Sequence, residues 1–528
     1  MKTKKIKGLF LLSAAVAVSL SIGNMSFADS SASADLNAQG NLQTKVILGV
    51  DSSQQSQQNI LAVNPETAEI PASQITQTPC KYKADVVVPL TETNAKEADK
   101  DKNIVPVLDL KGGVQTQEAK KETPLTIWLN QDRATGDWNG LRSKLEDNGV
   151  TVSGSYMLNN FMKGHGGGLL GNSKPSYQGL VNTSVELNTE KMHLYPGGKL
   201  FVLFQDINGK GLSEKYTGDY MYFNSYESAR PGPQLSEYWY EQSLLSNKIK
   251  LKVGKQDANC EFQALDTGFQ FINSGFNFIV NSSLPTYPNP AVGFVTTLQP
   301  TENIYLKYGL FDANGVGSQS GFNTIFHKDG ALQHMGELGF THSLKGYSGK
   351  YIVGTWHNNK SRDEFLSDDI AYDADSNPTG VVPGTFQSTN GFYTEFDQKI
   401  FKEKPDNVDG QGLSLLGQFS WAPPNKNELT KYFGTALAYK GLIPRRDEDV
   451  IGVGVNTAIF SKRAGSLSSA TDDGRQRTGN KGESVLEVFY KIALTPWLSI
   501  QPDFQWINKP YYSDKSTVVF GVRTNITF

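Results

Sequence analysis

Cysteine is scarce in this chain: Cys80 and Cys260 are the only two among 528 residues. So few exclude the disulfide framework with which small exported domains replace a large core. They allow one bridge at most, and the composition around Cys80 argues that neither has a structural role. Long apolar runs are missing beyond the N-terminal leader. No later stretch approaches the roughly eighteen consecutive apolar residues of a transmembrane helix, and only 38% of the chain is hydrophobic. There is no basic excess either. Lys and Arg number 50 against 53 Asp and Glu, an acidic balance that argues against a nucleic-acid partner. The six histidines, His165, His193, His327, His334, His342 and His357, show no metal-ligand spacing and no grouping with Ser and an acid. No metal, cofactor or catalytic constellation is therefore expected, and the chain is not read as an enzyme. The glycine-rich run Gly164-His165-Gly166-Gly167-Gly168 lacks a strand-to-helix context for phosphate binding and reads as a flexible loop.

What is present begins with a leader. Lys2, Lys4, Lys5 and Lys7 precede an apolar run from Leu9 to Ile22 and then Ser26-Phe27-Ala28. Residues 1–28 therefore read as a secretory signal cleaved after Ala28. Losing its four lysines leaves 46 basic against 53 acidic residues. Cys80 lies too far from that site to become a lipid-anchored N-terminus. Residues 29–123 contain no Phe or Trp and a single Tyr, Tyr82. Such a segment buries too little apolar surface to offset its ordering entropy, so it reads as a low-complexity periplasmic extension, mostly disordered. Short apolar runs at 86–90 and 104–110 are its only candidates for docking.

Residues 124–528 read as one β domain. From Trp128 onward aromatics and glycines are frequent. One short amphipathic helix fits 137–145, with Trp138, Leu141 and Leu145 on a face and Gly149 as its stop. The rest alternates with period two. The last segment sets Val518, Phe520, Val522, Ile526 and Phe528 against Gly521, Arg523, Asn525 and Thr527. Its predecessor sets Leu498, Ile500, Phe504 and Trp506 against Ser499, Gln501, Asp503 and Gln505. The segment before sets Leu486, Val488, Tyr490, Ile492 and Leu494 against Glu483, Glu487 and Lys491.

By this template sixteen strands fall at 150–160, 179–189, 198–207, 234–244, 248–256, 293–300, 302–311, 332–342, 347–358, 390–400, 411–421, 431–440, 448–460, 483–494, 497–507 and 517–528. Connections after odd-numbered strands are mostly long and those after even-numbered strands mostly short. An even strand number with that segregation is the layout of a transmembrane antiparallel β-barrel of the bacterial cell outer membrane. A soluble sandwich or propeller has no reason to sort loop length by parity.

The block Glu483-Ser484-Val485-Leu486-Glu487-Val488-Phe489-Tyr490-Lys491-Ile492, with Leu494-Thr495-Pro496-Trp497-Leu498, Gln501-Pro502-Asp503-Phe504-Gln505 and the closing Phe528, resembles the C-terminal signature of the carbohydrate-selective porin (OprB) family. Gly254-Lys255-Gln256-Asp257, Tyr238-Trp239-Tyr240-Glu241-Gln242 and Trp138-Asn139-Gly140-Leu141-Arg142 are similar to it as well. The resemblance covers about 124–528. It implies a sixteen-stranded barrel passing monosaccharides, glucose above all, by facilitated diffusion, with the short helix at the periplasmic mouth. The extension 29–123 departs from the family pattern.

Selectivity in such a channel falls to polar groups at a constriction. By parity the lumen-facing candidates are Glu237, Trp239, Glu241, Lys307, Glu337, Glu395, Asp397, Glu487, Gln501, Asp503, Gln505 and Arg523, with Gln205, Gln418 and Asn525 beside them. Charged groups and amides offer donors and acceptors to sugar hydroxyls, and Trp239 a flat face for a sugar ring. Tyr238, Tyr240, Tyr490, Trp497 and Trp506 read as lipid-facing wall and girdle, and Arg445-Arg446 as a periplasmic surface pair. The expected partners are small hydrophilic solutes and outer-membrane lipid. A general or organic-acid porin, and an enzyme or adhesin on a barrel scaffold, are the competing readings.

Overall fold

The computed structural model describes residues 123–164, 175–227, 231–313, 330–344, 347–360, 388–403, 410–461 and 480–528, together with short strand segments at 104–108, 114–118, 362–363, 370–372, 378–381 and 385–386. Residues 1–28, expected to be a signal sequence, most of the expected extension 29–123, Cys80, His165, His327 and most of the glycine-rich run lie outside the described residues.

Sixteen antiparallel strands close into a barrel. They are β1 (Val150–Lys163), β2 (Ser176–Asn188), β3 (Gly198–Gly209), β4 (Gly232–Leu244), β5 (Ile249–Gln256), β6 (Ala291–Leu298), β7 (Ile304–Asp312) and β8 (Leu332–Leu344). The second half comprises β9 (Tyr347–Asn358), β10 (Thr389–Lys402), β11 (Gly412–Trp421), β12 (Leu429–Lys440), β13 (Val450–Phe460), β14 (Gly482–Thr495), β15 (Leu498–Asn508) and β16 (Thr517–Thr527). Each expected strand has its counterpart. The seam is β16 against β1, with Arg523 opposite Asn159 and Val522 opposite Asn160. Closure leaves no sheet edge unpaired, which a membrane span requires because hydrocarbon cannot hydrogen-bond free backbone groups.

Alternation governs the wall. On β15 Phe504 and Trp506 are exposed on the outside, whereas Gln501, Asp503 and Gln505 are buried inside. On β9 Tyr351 and Val353 point out while Ile352 and Trp356 are buried within. The inside is thus not uniformly polar. Phe161, Met335, Ile352, Trp356, Tyr393, Leu416, Tyr432, Val485, Phe489, Ile507 and Val519 face inward and belong to one apolar cluster.

Three N-terminal details differ from expectation. Helix α1 (Pro124–Asn130) precedes the expected one, started by Thr123 capping the Thr126 N–H and by Pro124 in its first turn. The helix expected over 137–145 is α2 (Leu141–Asp147), because Asn139 and Gly140 adopt left-handed conformations, at φ 58° and 85°, that no α-helix continues through. Gly149 does end it, at φ 81°. Inside the extension, Ile104–Leu108 and Val114–Glu118 pair as antiparallel strands. That is regular structure where none was expected.

Trp497 is not on the outer wall. It sits at the β14–β15 turn, 6% exposed, with its ring centroid 4.6 Å from that of Trp128 and its Nε1–H donating to the Trp128 carbonyl at 3.2 Å. The Ala134 N–H donates to the Thr527 carbonyl at 2.8 Å, so the helical segment is fastened to the seam. In the β12–β13 turn Arg446 forms a two-pronged pair with Asp449, at 2.8 and 2.7 Å, which also accepts the Ala493 N–H at 2.9 Å.

Candidate functional site

Residues 210–227 and 257–290, within two long connections, turn into the barrel rather than standing outside it. Their apolar residues, including Leu212, Met221, Phe223, Phe262, Leu265, Phe271, Phe276 and Ile279, are buried in the same cluster as the inward wall residues. The segment 257–290 is built for this. Phe271 lies 4.4 Å from Phe276 and 4.9 Å, edge-on, from Phe489 of β14 between ring centroids. Gln263 stitches the segment together, its Oε1 accepting the Ile279 N–H at 2.9 Å.

An irregular segment inside a barrel has no sheet to pair with, so its backbone N–H groups need side-chain acceptors. The wall supplies carboxylates. Glu487 accepts the N–H groups of Ile272 and Asn273 at 2.6 and 2.9 Å. Glu483 accepts those of Tyr220, Met221 and Tyr511 at 2.8, 2.9 and 2.9 Å. Glu337 takes the Gln263 N–H at 3.0 Å and the hydroxyls of Tyr305 and Tyr393 at 2.8 and 3.0 Å. Asp397 takes the N–H and hydroxyl of Thr267, both at 2.7 Å. Glu237 accepts the Asp257 N–H at 3.2 Å. Losing one such acceptor leaves a buried N–H unsatisfied, at about 1–3 kcal/mol.

All twelve candidate residues project inward, but most do not meet open lumen. Gln501 Nε2 donates to the Gln270 carbonyl at 3.0 Å and Gln505 Nε2 to that of Phe223 at 2.9 Å. Asp503 accepts from Gln505 at 3.1 Å, Glu395 from Gln418 at 2.9 Å, and Arg523 Nε donates to Asn159 at 2.9 Å. Trp239 is already engaged: Phe201 stacks on it at 4.9 Å, the Lys252 ammonium lies 4.0 Å from its ring centroid, and its Nε1–H donates to Glu237 at 3.3 Å.

The group that sequence reasoning missed is Glu261, on the infolded segment. Its carboxylate bridges Lys252 and Lys307, each at 3.0 Å, and its carbonyl accepts from Lys307 at 2.8 Å. Burial alone would raise its pKa, but the two ammonium groups prevail and hold the carboxyl well below the usual carboxylate range. Lys350 reaches the same segment, donating to the Ala264 carbonyl at 2.6 Å. Cys260, beside Glu261, is disulfide-bonded, so the expectation that the cysteines have no structural role fails there. Among the described residues no set of three or more His, Cys, Asp or Glu could hold a metal ion.

A closed sixteen-stranded barrel narrowed by an infolded loop is a general channel architecture, and the family follows from the sequence match. The model of the carbohydrate-selective porin, OprB family, matches residues 172–528. The chain belongs to that family. It is an outer-membrane porin of the carbohydrate-selective kind and not an enzyme. Porin B of Pseudomonas aeruginosa is 21% identical over 442 residues, spanning 79% of this chain and 94% of that protein. The high-pH structure of Pseudomonas putida OprB superposes with a TM-score of 0.66 at 20% identity, covering 76% of this porin and 99% of that chain.

Proposed function

We propose that this porin passes small sugars of monosaccharide size, glucose among them, by passive diffusion through the space left between the infolded segment and the wall. The observation that carries the size limit is the anchoring of 257–290 across the lumen by Glu237, Glu337, Asp397 and Glu487. A segment held at several points and backed by an apolar core narrows the pore permanently. In this reading the twelve lumen candidates divide. Glu237, Glu337, Glu395, Asp397, Glu487, Gln501, Asp503, Gln505 and Arg523 hold the constriction in shape, while Trp239, Glu241 and Lys307 belong to the rim that solute passes, with Lys252 and Glu261. Weak exchange of hydrogen bonds with sugar hydroxyls there replaces hydration without trapping the solute. The outward band of Val253, Phe294, Phe340, Val353, Phe433, Phe504 and Phe520 meets membrane lipid, as the apolar exterior of an outer-membrane barrel does.

The test is swelling of liposomes containing the purified porin in isotonic glucose, xylose, maltose and raffinose. Fast swelling with the monosaccharides and slow swelling with the trisaccharide is the expected result. Equal rates for all four would sink the size limit, and no swelling with any of them would sink the sugar reading.

A further inference from the structure

The lumen is not evenly charged along its length. The carboxylates of Glu337, Glu483 and Glu487, which anchor the loops, are tied up in hydrogen bonds higher on the wall. The end bearing the short turns, which is periplasmic in barrels of this type, carries lysines. Lys199 and Lys250 are the second residues of β3 and β5. Lys350 is the fourth of β9, Lys399 the fourth from the end of β10, Lys440 the last of β12 and Lys491 the fifth from the end of β14. Each lies within five residues of its strand's periplasmic end.

All six share the inward parity. Lys250 is two residues from Lys252, which bonds Glu261 inside the lumen. Lys399 is two residues from Asp397, which holds Thr267. Lys491 is two residues from Phe489, which packs on Phe271. Lys440 is two residues from the buried Ala438 and pairs with Glu448 at 2.8 Å, and Lys350 donates to Ala264. Lys199 stands opposite Glu241 in the β3–β4 register, and Glu241 in turn opposite Lys252. At the same height the strands offer three inward acids among the described residues, Glu186, Glu241 and Asp397, the last opposite Lys350 in register and occupied by Thr267.

We propose that this mouth is an anion-collecting vestibule, and that among sugars the porin favours those bearing a carboxylate or phosphate. The inference rests on the sugar-porin reading and names a substrate class within it. Rings of Lys or Arg select anions at a pore, and low-dielectric walls focus their field into the water between them. At physiological salt the screening length is about 8 Å, comparable with the reach of a lysine from the wall, so a solute crossing the vestibule stays within the field. The family match supplies the sugar scaffold and the lysines supply the sign.

The experiment uses the full porin in planar bilayers and in liposomes. In a potassium chloride gradient the reversal potential should report several-fold preference for chloride over potassium, largest at low salt. Gluconate and glucose 6-phosphate should each enter liposomes faster than glucose at low ionic strength. The double variant Lys199→Gln/Lys250→Gln should lose much of both effects and keep its heat-modifiable folded band, while Lys199→Arg/Lys250→Arg should retain them. A cation-selective or unselective pore, or a glutamine variant unchanged in both readouts, overturns the vestibule. That failure is distinct from failure of the sugar reading, in which neutral glucose itself would not pass.

Discussion

The carboxylate of Glu487, on β14, accepts the backbone N–H of Ile272 at 2.6 Å, joining residues 215 positions apart. This bond, with its neighbour to Asn273, fixes the middle of the infolded segment to the far wall. Glu487→Ala should free that part of the segment. Two buried N–H groups would lose their acceptor, a cost of about 1–3 kcal/mol each. Larger, noisier single-channel conductance is expected, with the barrel still formed. Glu487→Gln, which keeps one acceptor oxygen, should fall between, and a conductance unchanged in both variants would contradict the anchoring role.

The bridge from Glu261 to Lys252 and Lys307 should be insensitive to mild acid. A carboxyl whose folded pKa is depressed contributes stability that is present above its unfolded value of about 4.3 and is lost only as pH falls through the lower folded value. Conductance should therefore hold steady as pH drops from neutral to about 4.3 as far as this contact decides it. In Glu261→Gln the two lysines lose their counter-charge at all pH values, so anion preference should rise. Reversal potentials recorded across that range check both statements.

Phe504 is exposed on the outer wall between Asp503 and Gln505, which are buried within. Phe504→Arg should cost roughly 2–4 kcal/mol if it lies near the bilayer midplane, read as a shift in urea titration of the porin folded into vesicles. Asn525, on the inward side of β16, should tolerate Asn525→Asp with little change in that titration. The opposite pattern would mean that inside and outside are exchanged, as a one-residue register slip would do.

The last residue closes the seam. The Phe528 N–H donates to the Gly154 carbonyl at 2.8 Å, and a Cβ on Gly154 would stand in tight contact with its ring, 3.3 Å from the nearest ring carbon. Deleting Phe528 should lower the yield of folded porin in the outer membrane, and Gly154→Val should do so too by displacing the ring. Heat-modifiability on gels and outer-membrane abundance measure both.

Strand number, strand position and the inside/outside assignment were legible because a period of two with one wet face is written into each segment. The infolding of 210–227 and 257–290 was not, although two signals bear on it. Val485 and Phe489 share the parity of Glu483 and Glu487, and an inward apolar residue in a water-filled lumen makes sense only if something covers it. The segment 257–290 carries Phe262, Phe269, Phe271, Phe276 and Phe278, more aromatic surface than an exposed loop would leave in water. The acids read as filter groups project inward, but which of them are met by backbone N–H groups depends on contacts between residues 20 to 215 positions apart. Trp497 was assigned outward because aromatic residues gather at membrane interfaces, and its partner Trp128 lies in a helix whose start signal, Thr123-Pro124, passed unread.

The apolar packing of the infolded segments bears on how the pore responds to voltage. Displacing them would bring Met221, Phe223, Phe262, Leu265, Phe271, Phe276 and Ile279 out of contact with the wall, at about 1.5–3 kcal/mol for each side chain. An electric field returns about 2.3 kcal/mol per elementary charge moved through 100 mV, so several charges crossing the whole membrane would be needed to offset even half of that. The constriction therefore has no inexpensive second position, and the current through a single channel should stay open at holding potentials of either sign.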